Sequence, residues 1–174
     1  MDNTVNVKKH KGRNDLVGEY KWGDLGQVIL LVIFLPLWIM DSFVFQYSVL
    51  PGNYFPVLLR IILSVIILLS SAFMAQAGLR MVFGEVREST NVIKKGVFGI
   101  VRHPVYLGAI LLYLGLIILT MSGVSAIFWV VIILFYNYIA IYEEKILLKH
   151  FGVEYQEYMD EVPRWIPKIF KRKK

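Results

Sequence analysis

Polar and apolar positions along this chain are sorted into blocks. After a charged stretch of about two dozen residues, apolar sequence runs over 26–47 (GQVILLVIFLPLWIMDSFVFQY) and again over 55–79 (FPVLLRIILSVIILLSSAFMAQAGL). A polar loop follows, then two more apolar runs at 105–121 (VYLGAILLYLGLIILTM) and 124–142 (VSAIFWVVIILFYNYIAIY). A hydrocarbon core of ~30 Å needs ~20 mostly apolar residues per helix. The pattern therefore predicts an all-α, polytopic membrane protein with about four transmembrane helices. SVLPGNY between the first two runs reads as a Pro-Gly turn, and only Ser122-Gly123 separates the last two, which predicts a tight C-terminal helical hairpin. Past the fourth run, Phe151, Tyr155, Tyr158 and Val162 recur at helical spacing within KILLKHFGVEYQEYMDEVPRWIPKIF. That segment reads as a cytoplasmic interfacial helix ending near Val162-Pro163. The expected organisation is an N-terminal arm over 1–25, a two-span membrane hairpin over 26–79, and a region over 80–174 holding a loop, two spans and the interfacial tail.

Composition supports the same class. The hydrophobic fraction is 57% and the mean hydropathy is +0.59, above the apolar usage of roughly 45–50% in soluble domains. The first apolar run is long and has no clear small-residue cleavage site, so it is not read as a cleaved signal peptide. Absence of cysteine excludes disulfides, thiolate metal sites and cysteine nucleophiles. Of the 19 Lys and Arg, all but Arg60 fall in the N-terminal arm, the central loop and the tail. Those three segments share one side of a four-span chain, so both termini and the central loop are expected to be cytoplasmic. Arg60 and Asp41 lie at similar depth near the opposite side; they either pair across the first hairpin or snorkel separately to that interface. Pro36 is expected to kink the first span. The KRKK end and the net charge of +6 fit contact with an anionic membrane surface, not nucleic acid.

Hairpin arithmetic locates the candidate chemistry. A helix of about 17 residues rises about 25 Å, and after a two-residue turn the next helix descends as far. Residues 102–106 and 142–144 must then lie at one depth. One cluster is Arg102, His103 and Tyr106; the other is Tyr142, Glu143 and Glu144. Pro104 suits the first position of a helix and pushes His103 to the cap. The amides of Val105, Tyr106 and Leu107 then form a helix N-terminus that attracts anions. The facing carboxylates suit an amine or hydroxyls. A small ligand with anionic and cationic ends fits such a mouth. No second histidine stands at ligand spacing from His103, so no metal is expected.

The same residues carry a family pattern. Arg102-His103-Pro104-x-Tyr106, Glu143-Glu144-x-x-Leu147, Phe151-Gly152-x-x-Tyr155-x-x-Tyr158 and Pro163-Arg164-x-x-Pro167 follow one another in order. Over about 92–168 the chain resembles the isoprenylcysteine carboxyl methyltransferase family and its phospholipid N-methyltransferase relatives. The resemblance implies S-adenosylmethionine as cofactor at the mouth of the last helix pair, and a lipid or lipophilic acceptor reached from the membrane. By analogy, His103 and the backbone of Pro104 and Val105 hold the methionine carboxylate end. Glu143 and Glu144 take the amine and ribose hydroxyls, and Tyr106, Ile93 and Phe98 pack the adenosine. Arg102, His103 and Glu144 are the candidate catalytic groups, and Asn137, Tyr138 and Arg164 the candidate acceptor contacts. Ile139 stands where many carboxyl-methylating members carry arginine, so a substrate carboxylate would need Arg164 or Arg102 as its partner. The expected function is S-adenosylmethionine-dependent methyl transfer to a lipid or lipophilic acceptor, an isoprenylcysteine-type carboxylate or a phospholipid amine. A non-catalytic lipid-binding scaffold is the alternative of another class.

Overall fold

A computed structural model of the protein describes residues 23–51, 54–84 and 91–167. The arm through residue 22 and the KRKK end lie outside the described residues. The chain forms α1 (Gly23–Ile39), continued by a π turn at Met40–Phe45, then α2 (Val57–Phe83) and a 3-10 turn at Gly96–Gly99. There follow α3 (Pro104–Thr120), α4 (Gly123–Phe151) and α5 (Val153–Glu161). Among the described residues the only strand-like feature is an isolated bridge between Val49 and Ser122. Gly23–Phe45, Val57–Phe83 and Gly123–Phe151 are each long and apolar enough to cross a membrane. Pro104–Thr120 is apolar too, but at 17 residues it is shorter, at the lower limit for a span.

Packing does not follow chain order. α2 lies tightest against α3, because small residues recur every seven positions on both. Ser64, Ser71 and Gly78 face α3, and Gly108 and Gly115 face α2. Ser64 Oγ donates to the Gly115 carbonyl at 2.8 Å and Ser71 Oγ to the Gly108 carbonyl at 2.7 Å. A Cβ on Gly108 would stand 2.9 Å from the Ser71 carbonyl oxygen and 3.0 Å from the Ala75 nitrogen. Lipid tails are as apolar as leucine, so close backbone approach and interhelical hydrogen bonds are what hold such a seam. α1 packs on α4, with Gly26 under the Phe135 ring. The core between α1, α3 and α4 is built from Leu30, Phe34, Ile110, Tyr113, Ile117, Ile132 and Tyr136.

The end of the molecule away from α5 is closed by a polar knot. Its centre is Asp41, which does not pair with Arg60. Its carboxylate is buried and accepts from the Ser48 amide at 3.2 Å and from the hydroxyls of Ser48 and Ser122. Ser122 caps α4 by accepting from the Ser125 amide. Arg60 is buried as well, and donates to the carbonyls of Leu50, Pro51 and Phe55. Local partners thus satisfy each charge, and the pair across the first hairpin does not form.

The other difference from the expected layout concerns α4. KILLKHF was expected to begin the interfacial helix, yet α4 runs unbroken to Phe151. Nothing between Tyr142 and Phe151 breaks a helix. The break comes at Gly152, at φ 57 and ψ −125, a backbone region that favours glycine. α5 then turns back beneath the helix ends.

Candidate active site at the helix mouth

α3 begins at Pro104 with His103 as its cap residue. The Leu107 amide already donates to the His103 carbonyl at 2.9 Å, so that amide belongs to the helix rather than to an anion pocket. Just before it, Gly96 holds φ 56, and a Cβ there would press 2.7 Å from Met81 Sδ. This close approach fastens the 3-10 turn to the end of α2, fixing how Arg102 and His103 enter the mouth. Glu143 and Glu144 arrive from α4 at the same level, both buried.

The two carboxylates keep different partners. Glu144 Oε1 lies 2.9 Å from Arg102 Nε, 3.1 Å from His103 Nε2 and 2.9 Å from Arg164 Nε, and its Oε2 accepts from Arg164 Nη2. Arg102 Nη1 also donates to the carbonyls of Met159 at 2.7 Å and Val162 at 2.9 Å, where α5 ends. Arg102 therefore ties three elements together. Glu143 instead accepts from the Tyr106 hydroxyl at 2.6 Å, and its other oxygen is 3.8 Å from His103 Nδ1. The His103 ring lies flat against Tyr106, with centroids 5.6 Å apart and 4° between planes, and Tyr106 leans on Tyr136. Burial holds the His103 pKa below its ordinary value, with the Glu144 hydrogen bond opposing. The imidazole is accordingly neutral near pH 7.

The segment after α5 covers this mouth. Arg164 Nη1 and Trp165 Nε1 donate to Asn137 Oδ1 at 3.2 and 3.1 Å, and the Trp165 ring stands 5.9 Å from that of His103. Arg102, His103, Tyr106, Asn137, Glu143, Glu144 and Arg164 thus share one cluster. Phe98 joins at one remove, its carbonyl accepting from the Tyr158 hydroxyl at 2.7 Å. Ile93 is half-buried beside Val92, which packs on Tyr155, Tyr158 and Val162. Tyr138 is set apart, 60% exposed on the outward side of α4. From the sequence Trp165 reads as an interface anchor or a lid contact, and Tyr136 was not among the candidates. Trp165 follows Arg164 directly, and Tyr136 precedes Glu143 by seven residues, two helical turns on one face.

Among the described residues no group of three or more His, Cys, Asp or Glu could hold a metal ion. The donor set is instead two carboxylates, a neutral imidazole, a helix start and flat aromatic surfaces. Fold and site together define a polytopic helical membrane protein whose polar chemistry is gathered at one mouth of a helical hairpin. The phospholipid methyltransferase family profile matches residues 53–154, more than half of the chain, and the protein belongs to that family. It is similar to protein-S-isoprenylcysteine O-methyltransferases B and A of Arabidopsis thaliana, at 36% and 35% identity over 81 residues. Each match covers 46% of this chain and 41% of the relative's length.

Proposed function

We propose that the protein transfers a methyl group from S-adenosylmethionine to a lipophilic acceptor held in the membrane. The observation that carries this is the meeting of His103 and Tyr106 with Glu143 and Glu144 at one level, roofed by Arg164 and Trp165. The residues fit the cofactor: Glu143 suits its amine or a ribose hydroxyl, the α3 start suits its carboxylate, and Tyr106 and Trp165 offer flat surface for adenine. When bound, S-adenosylmethionine supplies an electrophilic methyl on a sulfonium. The protein's part is alignment and exclusion of water. Glu144 holds Arg102, His103 and Arg164 in register, while neutral His103 is free of charge that would repel a cationic cofactor. The acceptor side is the Asn137–Arg164 edge. Arg164 is the group that would pair with an acceptor carboxylate, because Ile139 is apolar and buried. An isoprenylcysteine-type carboxylate is therefore the first acceptor to test, in line with the names of the relatives.

The test is a titration of purified full-length protein with S-adenosylhomocysteine, followed by turnover of labelled cofactor with N-acetyl-S-farnesylcysteine or phosphatidylethanolamine. Binding is expected for the wild type and at least about tenfold weaker for His103→Ala. No binding by folded wild type would sink the reading, and undiminished binding by His103→Ala would move the site elsewhere. Both termini are proposed to face the cytoplasm. The chain contains no cysteine, so Tyr54→Cys and Lys95→Cys each carry a single reporter. An impermeant maleimide should label the first in intact cells and the second only after lysis.

A further inference from the structure

The outward face of α4 carries a second polar feature, separate from the helix mouth. Tyr142, Lys145, Ile146 and Lys149 line an open groove of ≈ 200 Å³. Their spacing of three and four puts all four on one face, at 100° per residue, while Glu143 and Glu144 turn toward the interior. Neither lysine forms an ion pair with a described residue, and the groove floor is almost wholly apolar.

Depth gives this groove its meaning. α4 has 29 residues, about 43 Å, against a hydrocarbon core of ~30 Å. Its last turns must stand at headgroup level or beyond. The same outward stripe continues below the groove through Tyr138, Leu134 and Ile127, at 60%, 63% and 72% exposure. From the bilayer centre outward, the stripe reads aliphatic, then phenol, then ammonium. A phospholipid beside it reads acyl chain, then ester, then phosphate.

We propose that this face of α4 is a binding site for an anionic phospholipid, its phosphate held by Lys145 and Lys149 and its acyl chain laid along Leu134 and Ile127. Two phenols at the ester level and an apolar floor suit a lipid and do nothing for a free anion. The charge pairing selects an anionic headgroup over a zwitterionic one. This inference does not depend on the methyl-transfer reading.

Native mass spectrometry of the detergent-purified full-length chain tests it, with phosphatidylglycerol and phosphatidylcholine of identical acyl chains as probes. The wild type should retain phosphatidylglycerol over phosphatidylcholine by on the order of tenfold. Lys145→Gln/Lys149→Gln should bring the two near parity at an unchanged unfolding temperature. Inorganic phosphate at matched ionic strength should leave phosphatidylglycerol bound. The proposal is overturned if the wild type shows no preference, if the double variant keeps it, or if phosphate displaces the lipid. Loss of preference together with a lowered unfolding temperature also counts against it, since the lysines would then act through the fold.

Discussion

Glu143 and Glu144 are neighbours in the chain, yet their carboxylates do different work. Glu144 is the shared counter-charge of Arg102 and Arg164 and the hydrogen-bond partner of neutral His103. Glu144→Gln should destabilise the protein by about 3–5 kcal/mol, the usual cost of leaving buried charge without its partner, read as a lowered unfolding temperature. Glu143→Gln keeps an oxygen for the Tyr106 hydroxyl, so that temperature should hold. Its S-adenosylhomocysteine affinity should fall about tenfold, as expected where a charge-assisted bond to the ligand amine is lost. His103 sets the pH response. Its folded pKa lies below the ordinary value of 6.5, so the unfolded chain takes up the proton first as pH falls. Stability should thus be flat above about pH 6.5 and decline below it. His103→Asn should remove that component of the decline in unfolding temperature between pH 7.5 and 5.5.

At the scale of elements, the α2–α3 seam is governed by what a side chain would strike. At Gly108 an added methyl meets the α2 backbone, whereas at Gly115 it meets the Leu68 side chain, which can rotate away. Gly108→Ala should therefore cost about 1–3 kcal/mol and Gly115→Ala clearly less, compared by thermal unfolding in one detergent. Equal costs would show that the helices part freely. The seven-residue recurrence of Ser64, Ser71 and Gly78 opposite Gly108 and Gly115 is legible in sequence. Which helix they face is not, because small residues mark a close approach without naming the partner. The α4–α5 boundary was half legible: Gly152 is visible, but only its backbone conformation shows that the helix ends there rather than at Tyr142.

Across the whole molecule the two polar ends are separable. Asp41 joins the end of α1, the following loop and the α3–α4 turn through Ser48 and Ser122. It stands about 30 Å from the glutamate pair by the length of α4 between them. Asp41→Ala leaves buried donors unmatched and should lower stability by about 1–3 kcal/mol. S-adenosylhomocysteine affinity should stay within about twofold, since no site residue touches that knot. A parallel loss of affinity would mean that the ends communicate through the bundle.

Sequence by itself determined the all-helical membrane class and the two facing clusters. Both follow from local rules: hydrophobic run length sets spans, and a two-residue turn forces Arg102, His103 and Tyr106 to the depth of Glu143 and Glu144. Only the tertiary structure decided that Glu144 serves two arginines and His103 while Glu143 serves Tyr106, and that Arg102 is engaged at the end of α5. It likewise decided that Trp165 roofs His103 and that Asp41 and Arg60 never meet. These outcomes depend on which way each side chain leaves its helix and on a reversal at Gly152 that brings residues 159–165 back over the mouth. Run length and spacing carry no information about that return path.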